Sequence, residues 1–257
     1  MVLMFNFNNY QHVRFLNSSN QITASVYKSF NNIVNYFRLA EINEKLADEN
    51  ARLKNEISIY RQLSVDEDTT SHQGKAGTGK YLYKSARVIN NTVYKQNNYF
   101  TLNKGRKHGI TPDEGIISGK GIVGIISNVS ESYSTGLSLL NKRLKISGKL
   151  KKNNYFGSVS WDGVNYRYVQ LHEIPPPVEI EPGDSVVTSG SSAFFPEGIL
   201  IGTVESYELK PGESFYTIQV KLAVDFESVT NVEIIENRDR KEILNLEKRT
   251  QDDQDLD

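Results

Sequence analysis

The sequence predicts a mainly β protein introduced by an α-helical coiled coil, with one or two small six-stranded β-barrels after the helix. Three observations predict it. Apolar residues recur with a seven-residue period between positions 36 and 60. Near residue 81 the texture changes to short β-rich runs, with turn signals every 8 to 15 residues. That texture lasts to about residue 235 without a long apolar run. Turns this closely spaced favour a sandwich or barrel over βαβ units, and the stretch is long enough for one large barrel or two small ones.

Residues 1–20 are expected to be a residual juxtamembrane segment. Val2 to Phe5 are apolar, but Asn6, Asn8, Asn9 and Gln11 break the run at once. Nothing approaches the roughly 20 apolar residues of a membrane helix, and the run is short for a signal peptide.

Residues 21–64 are expected to form the coiled-coil helix. Leu39, Leu46 and Leu53 fall seven apart, with Tyr60 next, and occupy heptad position d. Tyr36, Asn43, Asn50 and Ile57 occupy position a. Leucine at d favours parallel dimers, and a buried asparagine at a fixes register and strand number at a cost in stability. Glu49 at g and Lys54 at the following e are placed to pair between two chains. A helix of a globular domain is the competing reading, but the stripe is narrower than a core-facing helix normally shows. Upstream, Ile22, Val26, Phe30, Ile33 and Phe37 keep helical spacing in a shifted register, which predicts a stutter. The chain is therefore expected to be a homodimer.

Residues 65–80 are a linker, first acidic (Asp66, Glu67, Asp68) and then glycine-rich. Residues 81–146 and 147–235 are expected to be a first and a second β-barrel domain, sequential or interleaved. Asp162-Gly163 predicts a tight hairpin turn, because this pair readily supplies positive φ angles. Further turns are expected at Asn97-Asn98, Gly119-Lys120-Gly121, Asn153-Asn154 and Pro211-Gly212. Residues 215–224 alternate, with Tyr216, Ile218, Val220, Leu222 and Val224 on one face and Thr217, Gln219 and Lys221 on the other, which reads as a half-buried strand. Residues 236–257 form a charged tail with few apolar positions, expected to be frayed helix and then disorder.

Composition removes several function classes. With 30 basic and 31 acidic residues, no global field attracts nucleic acid. There are no cysteines, so disulfides and thiolate metal sites are excluded, and His12, His72, His108 and His172 lack metal-ligand spacing. Gly74-Lys75-Ala76-Gly77-Thr78-Gly79-Lys80 approaches a phosphate-binding loop, but Tyr81 stands where a Mg²⁺-binding hydroxyl is needed and a β-like run follows. Gly183-Asp184-Ser185 is similar to the nucleophile segment of trypsin-like proteases, yet Val186 and Val187 replace the glycine that follows in those enzymes. No catalytic residue, cofactor or metal ligand is expected.

Residues 181–204 read as turn, strand, small-residue loop, aromatic-proline plug, turn and strand. Thr188, Ser189 and Gly190, followed by Phe195, Pro196, Gly198, Ile201, Gly202, Thr203 and Val204, resemble the signature of the rod-shape-determining MreC family. A second stretch agrees: Leu102 to Gly105, Gly109-Ile110, Gly115 to Ile117 and Gly121 to Ile126. The order of parts, coiled coil then β-rich body, is also similar.

The resemblance implies a non-enzymatic scaffold of the bacterial cell-wall elongation complex, at the periplasmic face of the inner membrane. It implies partners: an elongation-specific penicillin-binding transpeptidase, MreD, RodA and the MreB system, with homodimers and possible higher-order arrays. Members of the family have a membrane anchor, and this chain shows none, so membrane attachment is expected only through a missing N-terminal helix. Thr188, Ser189, Gly190, Phe195, Pro196, Gly198 and Gly202 are candidate partner-binding positions. Two alternatives stay open: a degenerate or active trypsin-like periplasmic protease built on Ser185, and a coiled-coil adaptor of a secretion system.

Overall fold

The computed structural model describes residues 38–39, 41–60 and 79–246. Among them are one helix over residues 41–60 (α1), twelve strands, a short 3₁₀ turn at Arg106–His108 and a final helix over residues 240–246 (α2). The chain divides into two compact units, Met1–Leu46 and Ala47–Asp257. No helix among the described residues is long and apolar enough to cross a membrane. The expected juxtamembrane segment, the linker core, Tyr36 and the last part of the tail lie outside the described residues.

Two closed six-stranded barrels make up the second unit. The first contains β1 (Tyr81–Asn91), β2 (Asn97–Leu102), β3 (Gly115–Ser118), β4 (Gly121–Val129), β5 (Ser134–Asn141) and β12 (Asn231–Asn237). The second contains β6 (Lys145–Leu150), β7 (Phe156–Ser160), β8 (Tyr168–Ile174), β9 (Ser185–Thr188), β10 (Leu200–Glu208) and β11 (Tyr216–Leu222). The expected cut into 81–146 and 147–235 is therefore corrected. The second barrel's last strand ends at Leu222, and the chain then returns so that β12 pairs with both β1 and β3, with Tyr81 opposite Asn237 and Ile234 opposite Ile116. The two bodies interleave.

Local pattern explains most strands. In β11, Ile218 and Val220 are buried while Gln219 and Lys221 face solvent, the alternation of a strand with one wet side. By contrast, β4 is buried without a break from Gly121 to Ile126. A strand covered on both faces reads as a continuous apolar run, and here the second cover is the other barrel: a Cβ on Gly121 would lie 2.4 Å from the Leu200 carbonyl oxygen.

Two expected turns and one expected strand differ from what the fold builds. Gly163 has the positive φ of 86° that Asp-Gly predicts, but β7 and β8 are joined by the whole of residues 161–167. Trp161 causes this, because its buried indole donates to the Asn165 carbonyl at 2.9 Å and draws the loop inward. Asn97 and Asn98 belong to β2 and not to a turn. Asn98 is fully buried and its amide nitrogen donates to the Lys95 and Leu140 carbonyls, both at 2.7 Å. The third is the strand expected over 215–224, which is trimmed to Tyr216–Leu222. Residues 119–120 and 211–212 turn as expected.

Candidate interaction surfaces

Within the second unit, α1 has two working faces. Asn55 pairs with the backbone of Tyr83 twice, accepting from its nitrogen at 2.6 Å and donating to its carbonyl at 2.9 Å. Asp48 accepts from the Ser85 hydroxyl, Lys54 pairs with Glu233, and Ala51 is buried. At about 100° per residue, positions 47, 51, 54, 55 and 58 share one face, and positions 50, 53, 57 and 60 lie about 120° around the helix from it.

That second face is the predicted heptad stripe, and it is exposed. Leu39, Leu46, Leu53, Ile57 and Tyr60 are 58%, 55%, 43%, 50% and 71% accessible, and Asn43 and Asn50 are exposed with them. Within the chain, Glu49 pairs with Arg52 at 2.6 Å and Lys54 pairs with Glu233 of the barrel.

Thr188 ends β9, Ser189, Gly190, Phe195, Pro196 and Gly198 lie in the loop after it, and Gly202 sits in β10 opposite Leu222. Thr188 is buried; its hydroxyl donates to the Pro196 carbonyl at 2.6 Å and accepts from the Ile199 nitrogen at 2.9 Å, which closes the loop on itself. The Ser189 hydroxyl donates to that of Ser147 at 2.7 Å and accepts from the Ser191 nitrogen at 3.1 Å. Gly190 takes a φ of 79°, in the left-handed region that favours glycine.

Phe195 is fully buried, and it faces the other barrel. A Cβ on Gly115, the first residue of β3, would lie 2.6 Å from both the Phe195 ring and the Phe194 carbonyl oxygen. Only glycine allows this approach. Phe194 lies under the Arg240 guanidinium at 4.9 Å, Arg240 pairs with Asp113 at 3.2 Å, and Asn237 donates to the Ala193 carbonyl at 3.2 Å. The aromatic-proline plug thus joins the two barrels. Of the motif positions, only Gly190 and Gly198 are fully exposed; Ser189 and Pro196 are half-buried.

Ser185 lies in β9 opposite Thr203, and among the described residues no hydrogen bond links it to a histidine. His108 instead accepts from the Gly105 nitrogen at 3.0 Å. Lys80 leads directly into β1 where a phosphate-binding loop requires a helix. The described residues hold no group of three or more His, Asp or Glu able to bind a metal.

One surface was not anticipated from sequence. Ser158 stands opposite His172, Ile174 opposite Tyr216, and Thr217 opposite Glu208. Tyr216 stands opposite the fully buried Ile174, while Phe156, Tyr207, Leu209 and Phe215 are exposed at this same end of the barrel. Phe156 is 70% exposed and Phe215 47%, and Tyr207 meets Tyr216 edge-on at 5.7 Å. Glu173, Glu205, Glu208 and Glu213 are exposed around it. Burial pulls the His172 imidazole below its ordinary pKa, outweighing the nearby Glu173 carboxylate, so it is neutral at neutral pH. The signal was the Tyr155-Phe156 and Phe215-Tyr216 pairs, which only the strand order brings to one end of the barrel.

A family model described as the barrel core of rod shape-determining protein MreC matches residues 88–236. The chain belongs to the MreC family. A cell shape-determining MreC of Listeria monocytogenes is 28% identical over 148 residues, covering 52% of this chain and 50% of that protein. The Bacillus subtilis MreC is 27% identical over 235 residues, covering 84% and 77%. Half the length of the Listeria relative thus lies outside its match to this chain. Among solved structures, a Listeria MreC superimposes with a TM-score of 0.60 at 24% identity, over 78% of this chain and 94% of that one. The Pseudomonas aeruginosa MreC gives 0.55 at 19% identity, over 59% and 97%. Both share the MreC fold.

Proposed function

We propose that this MreC-family chain is a non-enzymatic scaffold of the bacterial cell-wall elongation complex. It pairs with a second copy through α1 and holds cell-wall synthesis enzymes against its barrels. The observation that carries this reading is the exposure of the seven-residue stripe on a helix whose other face is already engaged with β1 and β12. Exposed leucines at d with asparagines at a favour a parallel pair in one register, which points both sets of barrels the same way.

The exposed aromatic cluster at one end of the second barrel is the surface best suited to a partner enzyme, since exposed apolar patches rimmed by charge mark protein contacts. Its acidic rim favours a partner with basic residues. By family likeness the partner is an elongation-specific penicillin-binding transpeptidase at the periplasmic face of the inner membrane, with MreD, RodA and the MreB system in the same assembly. The exposed rim at Gly190 and Gly198 is a second, smaller contact.

Analytical ultracentrifugation tests the pairing. The parent chain is expected to sediment as a dimer and Leu46→Asp/Leu53→Asp as a folded monomer. A monomeric parent, or a variant that stays dimeric, overturns the proposed role of the stripe.

A further inference from the structure

Where α1 ends over the seam of the two barrels, the molecule has a cavity of about 720 Å³. Ile117, Ile199 and Leu200 form its apolar floor, and Lys54, Lys80, Lys120 and Asp239 stand on its rim. Lys54 is held by Glu233. Lys80 lies over the Tyr81 ring at 5.7 Å, and among the described residues neither it nor Lys120 has an ion-pair partner. The rim is therefore cationic and the floor apolar, a combination that fits an acidic segment with an apolar side chain.

The chain carries such a segment, and it leaves the barrels at this rim. Asp239 lines the cavity two residues after β12 and precedes α2. Beyond it, residues 251–257 read Gln-Asp-Asp-Gln-Asp-Leu-Asp, with four carboxylates and one leucine. Seven residues of helix carry the chain about 10 Å from the rim. The eleven that follow span up to about 36 Å when extended. The segment reaches back over the cavity whichever way α2 points.

We propose that this groove is the docking site of the chain's own acidic segment 251–257. The Asp252, Asp253 and Asp255 carboxylates lie at Lys80 and Lys120, and Leu256 lies on the Ile117–Leu200 floor. Tethering makes the encounter intramolecular, with an effective concentration on the order of millimolar, which suits weak pairs between surface charges.

The chain has no cysteine, so a spin label on Asp255→Cys in the full-length protein is unique. Amide signals of Gly119, Lys120 and Gly121 in the isotope-labelled chain are expected to fall about twofold or more, as short-range tethered contact requires. Lys80→Glu/Lys120→Glu, or salt of about 1 M, where the screening length is about 3 Å, should restore them. Asp252→Asn/Asp253→Asn carries the same readout without touching the barrels. Unchanged signals, or broadening that survives both charge changes, overturn the proposal. Broadening that appears when labelled and spin-labelled chains are mixed assigns the groove to a second copy and overturns it too. So does a groove whose signals respond to Asp66→Asn/Glu67→Gln/Asp68→Asn and not to the 251–257 substitutions, which assigns it to the linker.

Discussion

The first barrel keeps polar groups inside, while the second displays phenyl groups outside. Asn98, Glu114, Ser134, Ser138, Asn141 and Glu233 are buried in or beside the first, against Thr188 alone in the second among the described residues. Phe156, Leu209 and Phe215 are exposed on the second. Most of the first barrel's polar matching is local: Asn98 meets three backbone groups and Glu114 meets Lys84 at 3.3 Å, while one Glu114 oxygen and the Ser134 hydroxyl are buried without a hydrogen-bond partner. Such matching fixes one arrangement of strands. The first barrel thus holds the denser internal polar frame and the second the exposed phenyl rings, although the first also exposes Ile89, Tyr94, Tyr99 and Tyr133, and the 188–202 loop joins the two.

The strongest way to break that division is at the join. Phe195→Ala removes a fully buried ring from the seam and is expected to cost about 3–5 kcal/mol, read from the midpoint of denaturant unfolding. A cost under about 1 kcal/mol would mean the seam contributes little.

An intermediate effect is expected inside the first barrel. Burial pushes the Glu114 carboxyl above the ordinary carboxylate range despite the Lys84 ammonium, and one of its oxygens has no hydrogen-bond partner. A carboxyl whose folded pKa is raised favours folding most below its unfolded pKa of about 4.5, and that contribution is lost as pH rises through the folded value. Glu114→Gln should therefore lose stability relative to the parent near pH 4.5 and recover against it by pH 7. Unfolding midpoints at the two pH values check the sign; parallel curves would place the carboxyl in ordinary solvent.

The smallest effect on stability belongs to the second barrel's surface. Phe156→Glu/Phe215→Glu is expected to shift stability by no more than about 0.5 kcal/mol. Capture of the proposed penicillin-binding partner from the native membrane fraction should nevertheless fall at least about tenfold, the scale of a central interface residue. Retained capture would move the contact elsewhere.

The parts legible in sequence are those written locally. The alternation of Ile218 and Val220 with Gln219 and Lys221 foretold β11. What stayed hidden depends on distant partners. Nothing near Asn231 announces that it pairs with Arg87. Lys54 has the spacing of a zipper charge, and only Glu233, far along the chain, draws it away. The exposed aromatic cluster is likewise invisible until the strand order brings the ends of β7, β10 and β11 to one end of the barrel.

The return of β12 sets an order of construction. A chain emerging from its N-terminal side can complete the second barrel once residue 222 is free, because β6 to β11 are contiguous. The first must wait, with the edges of β1 and β3 open, until residue 237 arrives. Open edges are sites of mispairing. The inserted barrel is therefore the earlier of the two to mature, and the enclosing one is sealed last.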